Sequence, residues 1–457
     1  MSFPKYPEYK DSGVEWLGEV PGHWDIQKLK RIASFSGGGT PSRDNPAFWN
    51  GDIPWVSPKD MKSEEITTTE ECITPLGLQS NATNVVPPGT VILVVRSGIL
   101  RHTIPIAITK NEVALNQDMK AIHLDPGSCS GKFFLRWVQG LNDHLLLSWG
   151  KQGATVESIE HEYLSNSILP LPLVEEQTTI AAFLDHETAK IDALITEQEK
   201  LIELLKEKRQ AVISHAVTKG LDPNVPMKDS GMEWLGEVPE HWEISPVKYL
   251  VASFEQGWSP QCENFPVETE SDWGVLKVGC VNGGVFNPQE NKALPNNLEP
   301  QPALGVLAGD VLISRANTKE LVGSAAVVLE DYPNLLLCDK LYRVRVKQKR
   351  LISEYLSLFI GTFAARSVIE LSATGASSSM QNIGQGVILN LSMPVPPVDE
   401  QKLLVLGIQE KLAPFGVLIA EAQRTIDLLK ERRSALISAA VTGKIDVRGF
   451  APVSEAV

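Results

Sequence analysis

The sequence has few cysteines and no long apolar run. Its five cysteines are scattered among 457 residues and never form a Cys-x-x-Cys pair. This argues against a disulfide framework or a cysteine-rich zinc site and favours a reducing cytoplasm. The longest uninterrupted apolar runs, such as Val91–Val95, hold five residues, far fewer than the roughly 20 of a membrane-spanning helix. Residues 1–10 contain no apolar signal core. We therefore expect a cytoplasmic globular chain of roughly two to four domains.

Positive charge is also scarce, with 42 Lys and Arg against 56 Asp and Glu and a net charge of −14. Such a balance disfavours general nucleic-acid binding, which neutralises phosphates, although binding depends on the local field. One basic segment is present, Lys340–Arg350 (KLYRVRVKQKR), in which Arg343 and Arg345 alternate with other residues at strand spacing. It is either one face of a DNA-binding surface or a solvated edge strand that is charged to prevent aggregation.

The chain contains an internal repeat. Asp11–Trp24 (DSGVEWLGEVPGHW) and Asp229–Trp242 (DSGMEWLGEVPEHW) are identical at 12 of 14 positions, at an offset of 229 − 11 = 218. Later phrases recur at an offset of 224, including LPLP at Leu169–Pro172 and MPVP at Met393–Pro396. Two copies are too few for a solenoid, so we interpret them as a duplication with two-fold pseudosymmetry.

Each copy ends in a charged periodic segment that predicts a helix of roughly 40 residues, ~60 Å long. Prolines precede both segments, and Gly220 and Gly443 follow them. Pro414 should kink or break the second helix. We expect the two helices to pair as an antiparallel coiled coil, with the variable regions at opposite ends. The predicted a/d seam is Ile180, Leu184, Ile191, Leu194, Leu201, Leu205 and Val212, followed by Leu404, Ile408, Phe415, Leu418, Thr425, Leu429 and Leu436.

The two variable regions, 34–166 and 253–390, share an outline and little else. Short β-rich runs bounded by Gly, Pro and Asn predict mixed α/β folds in both. The predicted fold is therefore α/β (α+β), with two mixed domains separated by the helical pair. The predicted division is 1–33 (cap), 34–168 (first variable domain), 169–220 (helix), 221–252 (second cap), 253–392 (second variable domain), 393–445 (helix) and 446–457 (disordered tail).

This architecture resembles the specificity subunits of Type I restriction-modification enzymes. The resemblance rests on FSGGGTPSRDNPAFWNGDIPWVSPKDM (Phe35–Met61), the Gly153–Thr155 turn leading into Leu169–Gln177, and the duplicated helices. The second copy departs from the family phrase, with QGWSPQC around Gly257 in place of GGGTPSR.

The resemblance implies a non-catalytic subunit whose two target-recognition domains read a bipartite, asymmetric DNA sequence. It also implies two methyltransferase subunits that use S-adenosylmethionine. Restriction-translocation subunits that need ATP and magnesium would complete the complex. It implies no cofactor or metal on this chain.

In the first variable region, the polar residues around the glycine loop Gly37–Gly39 are candidate DNA contacts. The alternative is an ordinary glycine turn, and a P-loop is excluded because no Gly-Lys-Ser/Thr follows. Arg96 and Arg101 follow the apolar run, where an arginine can pair with guanine O6 and N7 or form a surface salt bridge. Trp55 is expected in the core and Lys59 at a phosphate. The candidates are Thr40, Ser42, Arg43, Ser57, Lys59, Arg96, Ser97, Arg101, Lys151 and Gln152.

In the second variable region, Arg315, Asn317 and Lys319 hold the matching place after an apolar run. Asn317 could pair with adenine N6 and N7. Arg343, Arg345 and Gln381 complete the candidate DNA contacts. The acids Glu176 and Glu400, with Gln177 and Gln401, open the two helices and either complement the helix dipole or dock partner subunits.

Two other function classes remain open. A stand-alone methyltransferase would need an Asn/Asp-Pro-Pro-aromatic loop, which the sequence lacks, and no metal-ligand spacing of histidines stands out. A coiled-coil adaptor that binds only proteins would suit the acidic charge.

Overall fold

A computed structural model describes residues 3–80, 84–151, 156–269, 271–377 and 380–450. Its contacts divide the chain into two compact units. Unit 1 comprises residues 1–198 and 424–457, and unit 2 comprises residues 199–423. Because the boundary falls inside both long helices, each unit contains part of each helix.

Unit 1 is a mixed α/β body, in which the apolar run at Val91–Val94 forms a central strand that is buried along its whole length. Its elements are β1 (Tyr9–Asp11), β2 (Glu19–Pro21), β3 (Asp25–Lys28), α1 (Leu29–Ile32), β4 (Ala33–Gly37), β5 (Trp49–Val56), β6 (Glu65–Ile66), β7 (Glu71–Ile73), α2 (Pro75–Gln79), β8 (Val85–Val86), β9 (Val91–Val94), β10 (Ile106–Thr109), β11 (Val113–Leu115), β12 (Met119–Leu124), α3 (Gly131–Gly140), α4 (Asn142–Trp149), α5 (His161–Ser165), β13 (Ile168–Leu171) and the first part of α6 (Val174–Lys219).

Unit 2 repeats this plan, which confirms the predicted mixed α/β class. Its elements are β14 (Met227–Asp229), β15 (Glu237–Pro239), β16 (Glu243–Pro246), β17 (Val251–Gln256), β18 (Gly274–Leu276), β19 (Asn291–Ala293), β20 (Gly305–Val306), β21 (Val311–Ser314), β22 (Ala316–Asn317), β23 (Ala325–Val327), β24 (Tyr332–Leu336), β25 (Leu341–Val346), α7 (Ser353–Ile360), α8 (Phe363–Ser372), β26 (Thr374–Ser377), β27 (Met380–Asn382), α9 (Gln385–Leu389), β28 (Ser392–Val395) and the first part of α10 (Val398–Val441).

The two variable regions share the order of eight strands in two sheets, to which unit 1 adds β6 and unit 2 adds a separate sheet, β22-β27-β26. In unit 1 the strand orders are β4-β12-β9-β10-β6 and β7-β5-β11-β8, and in unit 2 they are β17-β25-β21-β23 and β19-β18-β24-β20. Within the second sheet of each unit, one central pair is parallel (β5 with β11, β18 with β24) and the outer pairs are antiparallel. The shared outline of the sequences therefore reflects one fold with different side chains.

The repeated Pro-containing phrases are short strands that connect cap to helix. Leu169 lies opposite Gln27 in the β13–β3 pair, and Met393 lies opposite Ser245 in the β28–β16 pair. Both helices begin shortly after these strands. They end before Gly220 and Gly443, which have φ values of 79° and 73°. This left-handed conformation is the usual glycine helix stop, so the predicted stops are confirmed.

The buried stripe of each long helix differs from the predicted heptad seam. Leu194 and Leu201, both predicted seam positions, are 45% and 41% exposed. Isoleucines instead recur every eleven residues, at 180, 191, 202 and 213, and each is at most 8% exposed. In α10 the same spacing gives Leu404, Phe415, Ile426 and Ile437, all buried except the half-buried Phe415. Eleven residues complete three turns at 3.67 per turn, close to the α-helical 3.6, whereas a strict heptad drifts by about 20°.

Inside each unit the two helix segments run antiparallel. In unit 1, Phe183 contacts Phe450 beyond the end of α10, with ring centroids 5.3 Å apart, while Asp192 lies 2.9 Å from Arg433, nearer the middle of α10. In unit 2, Ile213, Ala216 and Val217 of α6 share a core cluster with Leu404, Val405 and Ile408 of α10.

The helix α10 continues through Pro414, so the predicted break does not occur. Pro414 is exposed, and its solvent-facing position leaves water access to the carbonyl that lost its partner. By length and composition α10 could also cross a membrane. The core helix of a globular protein can have the same length and composition, and α10 contributes to the cores of both units.

The predicted disordered tail is ordered in its first part. Asp446 donates its amide to the carbonyl of Pro4 at 2.8 Å, and Val447 is 4% exposed. Unit 1 is therefore built from both ends of the chain. Residues 451–457 lie outside the described residues.

The eleven-residue stripe predicts unequal effects of two neighbouring substitutions in α6. Ile191→Ala should lower the free energy of unfolding of unit 1 by about 2–5 kcal/mol, because it leaves a cavity. Leu194→Ala should cost less than about 1 kcal/mol, because its side chain is largely solvated. Urea unfolding measures both. An equal or larger loss for Leu194→Ala would restore the heptad interpretation.

Candidate nucleic-acid interface

The glycine loop of the first variable region packs on the chain's own backbone. A Cβ on Gly38 would lie 2.1 Å from the Asn116 carbonyl oxygen, so only glycine fits there. The amide of Gly39 donates to the Leu115 carbonyl at 2.9 Å. The close approach that these glycines allow is therefore to β11, which supports the glycine-turn alternative. Thr40 is half-buried behind this turn, and Ser42 is exposed beside it.

Arg43 is held between a carboxylate and an indole ring. Its Nη1 and Nη2 donate to the two oxygens of Glu71 at 2.5 and 2.8 Å, and its guanidinium lies 3.9 Å from the centroid of Trp49. The hydrogen bonds raise the pKa of Arg43 and lower that of Glu71. Trp55 is 2% exposed, as expected of a core residue, and its indole donates to the Gly39 carbonyl at 3.0 Å.

The short helical turn after β5 separates two of the candidates. Ser57 is 9% exposed and hydrogen-bonds to Asp60 in a capping box. It is therefore a structural cap. Lys59 is exposed, and no hydrogen bond or ion pair of it is present among the described residues. Lys59 remains available to a phosphate.

Arg96, Ser97 and Arg101 lie where β9 ends, each with a partner. Arg96 Nε donates to Asp118 at 2.7 Å and Arg101 Nε donates to Glu157 at 2.5 Å. The Ser97 hydroxyl accepts the amide of Ile99 and so caps the following turn. The surface salt bridges expected as one alternative are therefore present, on side chains that remain more than half exposed.

The fold brings these residues together with Lys151. Arg96 forms a β-bridge with Ser158, the Ser97 amide donates to the Glu157 carbonyl at 3.1 Å, and the Lys151 amide donates to the Ser158 carbonyl at 2.8 Å. Lys151 also lies 3.5 Å from Glu160. Gln152 and the turn at 153–155 lie outside the described residues.

Sequence reasoning missed the residues that complete this surface. Lys120 Nζ lies 3.2 Å from His161 Nδ1, and burial lowers the pKa of both. Asp118 and Glu157, the partners of the arginines, were also missed. They stand 22 and 56 positions from Arg96 and Arg101, and no spacing rule in the sequence links them.

The second variable region keeps the glycine turn despite its different sequence. A Cβ on Gly257 would lie 2.0 Å from the Leu337 carbonyl oxygen, and the amide of Trp258 donates to that carbonyl at 2.9 Å. These contacts match those of Gly38 and Gly39. The departure from the family phrase therefore changes the side chains while the backbone turn is retained.

The candidates after β21 differ in their contacts from those after β9. Arg315 donates to the Asp339 carbonyl at 3.3 Å, and Asn317 donates to Asn282 at 3.4 Å. Gln381 lies opposite Asn317 in the β22–β27 pair. Lys319 is exposed and forms no ion pair within the described part of the chain. Counted from Gly89 and Gly309, which share a positive φ, Ala316 matches Arg96, so Arg315 is displaced by one residue from the place expected for it.

The prediction of an edge strand is wrong, and the DNA-contact alternative is excluded for Arg343 but not for Arg345, whose side chain is 41% exposed. β25 lies between β17 and β21, inside the sheet. Arg343 is 2% exposed and donates to Glu255 and to the carbonyls of Ala303 and Gly305. Arg345 is half-buried, with its Nε 2.7 Å from Asp310. Arg343 is therefore a structural residue, because its guanidinium is buried, where Glu255 balances its charge, and cannot contact DNA.

Comparisons with known proteins agree with this arrangement. Residues 21–204 match the family model of the Type I restriction modification DNA specificity domain. The chain is 35% identical to the EcoR124I/EcoR124II specificity subunit of Escherichia coli over 39% of this chain and 41% of that protein. It is 24% identical to the MjaVIII specificity subunit of Methanocaldococcus jannaschii over 98% of this chain and 99% of that protein.

The chain is therefore similar to Type I restriction-modification specificity subunits. The matched segments span 35%, 41% and 44% of three of its curated relatives, which is less than half of each. A solved structure of a type I restriction-modification system has the same fold, with a TM-score of 0.65, 17% identity, and coverage of 92% of this chain and 98% of that one.

The Glu-Gln pair at the start of each long helix forms internal hydrogen bonds, and we call each pair with its partners a lock. Glu176 is 8% exposed and accepts hydrogen bonds from Tyr6 at 2.7 Å and Trp24 at 3.0 Å, with His23 at 2.8 Å. Glu400 makes the same contacts with His241 at 2.9 Å and Trp242 at 3.0 Å. The repeated His-Trp of each cap is therefore fastened to its own helix.

Gln177 and Gln401 are fully buried, and each hydrogen-bonds to three backbone groups, two in one segment of the variable region and one at the proline before the helix. Gln177 accepts from the Ser130 amide at 2.8 Å and donates to the carbonyls of Ser128 and Pro172. Gln401 accepts from Ile352 at 3.0 Å and donates to Arg350 and Pro396. The expectation that these glutamines dock partner subunits is wrong, since neither side chain reaches the surface.

The lock predicts a stability defect for Gln177→Leu. The substitution keeps most of the side-chain volume but leaves a buried amide and two carbonyls without partners, each costing about 1–3 kcal/mol. Urea unfolding of the purified chain measures the loss. Glu175→Gln, at the exposed neighbouring position, serves as the control and should stay within about 0.5 kcal/mol. Unchanged stability of Gln177→Leu would contradict the structural role.

Proposed function

We propose that this chain is the DNA sequence-recognition subunit of a Type I restriction-modification complex. In this proposal each variable region reads one part of an asymmetric, bipartite target. The observation that carries the proposal is the shared order of eight strands in the two variable regions, with unlike side chains at matched positions. Ser97 is replaced by Asn317 and Arg96 by Ala316 at the end of the equivalent strand, as expected of two readers with different ligands.

The partners follow from the proposed role. They are double-stranded DNA, two methyltransferase subunits and restriction-translocation subunits, in the cytoplasm. The methyltransferases would supply S-adenosylmethionine chemistry, and the translocation subunits would use ATP and magnesium. This chain would bind no cofactor and catalyse no step. The absence of an Asn/Asp-Pro-Pro-aromatic loop from the sequence supports that division of labour.

The proposed contacts lie on the surface around Arg96, Arg101 and Lys151, with Lys59 as a phosphate contact. In the second variable region they are Arg315, Asn317, Lys319 and Gln381. Base edges would be read by the arginines and by Asn317, since arginine matches guanine and asparagine matches adenine. The lysines would position the duplex through phosphates.

Exchange of one variable region tests the proposal. Replacing residues 34–166 by the matching region of another specificity subunit should change one half of the recovered target and leave the other half unchanged. Selection from a randomised duplex pool with the purified chain and its methyltransferase partners measures both halves. Changes in both half-sites, or recovery of no sequence at all, would contradict independent readers.

A second test concerns the spacing between half-sites, which we propose the long helices set. Eleven residues inserted near Glu199 and a matching eleven near Gln423 add three turns to each helix and keep the buried stripe in phase. At about 1.5 Å per residue the helices lengthen by ~16 Å. The unread spacer should then grow by about five base pairs at ~3.4 Å each. An unchanged spacer in the selected sequences would refute the proposal that the length of the helices sets the spacing between half-sites.

A further inference from the structure

The three arginines of the first variable region use different nitrogens to bind their carboxylates. Arg43 donates both Nη1 and Nη2 to Glu71. Arg96 and Arg101 instead donate Nε, to Asp118 and Glu157 respectively. The same residue type is therefore held in two geometries on one unit.

The second geometry leaves the terminal fork of the guanidinium open. Among the described residues, no hydrogen bond from Nη1 or Nη2 of Arg96 or Arg101 is present, and these side chains are 52% and 64% exposed. Arginine uses this planar fork to donate two parallel hydrogen bonds to guanine O6 and N7. In both residues a carboxylate therefore holds Nε, while Nη1 and Nη2 remain free to donate to a ligand.

We infer that Arg96 and Arg101 read guanine edges and that Asp118 and Glu157 are positioning residues that aim them and disfavour contact with phosphate. This inference rests on the proposed function and deepens it by separating base readers from backbone contacts. Arg43 is excluded as a reader, because its fork is occupied by Glu71 and one face of its guanidinium covers Trp49.

Electrostatics gives the carboxylates their discriminating effect. An arginine–carboxylate pair carries almost no net charge, so the pair gains little from a nearby phosphate, which the carboxylate also repels. A guanine edge is neutral and brings no second anion close to the carboxylate. The paired arginine therefore favours bases over backbone. This also explains how a chain of net charge −14 could bind DNA selectively, because sequence-independent binding depends on unpaired cations that release counterions.

The test uses the full-length chain and a pool of randomised DNA duplexes. Asp118→Asn and Glu157→Gln each remove one negative charge and nearly keep the side-chain shape. Glu112→Gln makes the same charge change at an exposed position before β11, beyond the opposite end of β10 from the arginines. Two quantities are measured for each variant: the affinity for the unselected pool as a function of salt, and the sequence enrichment in the bound fraction.

The expected result is tighter but less selective binding by the two positioning variants. Affinity for the unselected pool should rise several-fold, and the slope of log K against log salt concentration should steepen by up to about 0.9 for each freed arginine. Guanine enrichment should fall at positions of one half-site only. Arg96→Gln should lose one such guanine without gaining affinity for the unselected pool.

Two outcomes would overturn the inference and are distinguishable from each other. If the unmodified chain enriches a bipartite sequence but Asp118→Asn and Glu157→Gln behave like Glu112→Gln, the positioning role is wrong while the proposed function stands. If the unmodified chain enriches no sequence, with or without its methyltransferase partners, the proposed function fails and the inference fails with it.

Discussion

The architecture depends on a Glu-Gln pair at the start of each long helix. The glutamate accepts hydrogen bonds from the tryptophan and histidine of the cap, and the buried glutamine ties the helix to one backbone segment of the variable region, 128–130 or 350–352. A buried carboxylate is tolerated only when it is paired and hydrogen-bonded. Each lock therefore fixes cap, helix and variable region in one geometry, and this explains why the locking residues are repeated while the surfaces around them differ.

A contact between the glycine after each helix and a cap tryptophan shows how the two ends of the chain join one unit. Gly220, after the first helix, lies near Trp242 of the second cap, and Gly443, after the second helix, lies near Trp24 of the first cap. In unit 2 the helix and the cap that follows it are continuous in sequence. In unit 1 the same contact joins the two ends of the chain. The end of the first helix therefore contacts the second cap, the end of the second helix contacts the first cap, and each unit has an equivalent scaffold.

Much of the fold could be predicted because an internal repeat and the residues that start and stop helices can be recognised in a single sequence. The duplicated caps, the prolines before the helices and the glycines after them all marked real boundaries. The heptad seam was wrong at Leu194 and Leu201, because an isoleucine follows each of them and only packing decides which of two adjacent apolar residues faces the core. Pro414 did not end its helix, since a proline on a solvated face loses little.

The candidate site was harder to predict because the role of each arginine depends on a carboxylate partner that is distant in sequence. Arg343 and Arg96 are the same residue type, yet Arg343 is buried against Glu255 and Arg96 is exposed beside Asp118. Alternation of basic residues suggested a surface strand, but the neighbouring strands that bury β25 come from elsewhere in the chain. The turn around Gly257 shows the reverse case, because its sequence differs from that around Gly38 while the contact of the turn with a strand backbone is the same.

The central claim is that two unlike readers in one chain specify one split target. Mapping methylated adenines across the genome of the source organism, with and without this gene, tests it most directly. The account predicts loss of methylation from a single asymmetric motif whose two parts are separated by a spacer of unspecified bases. Unchanged methylation, or loss from a continuous palindromic motif, would contradict it.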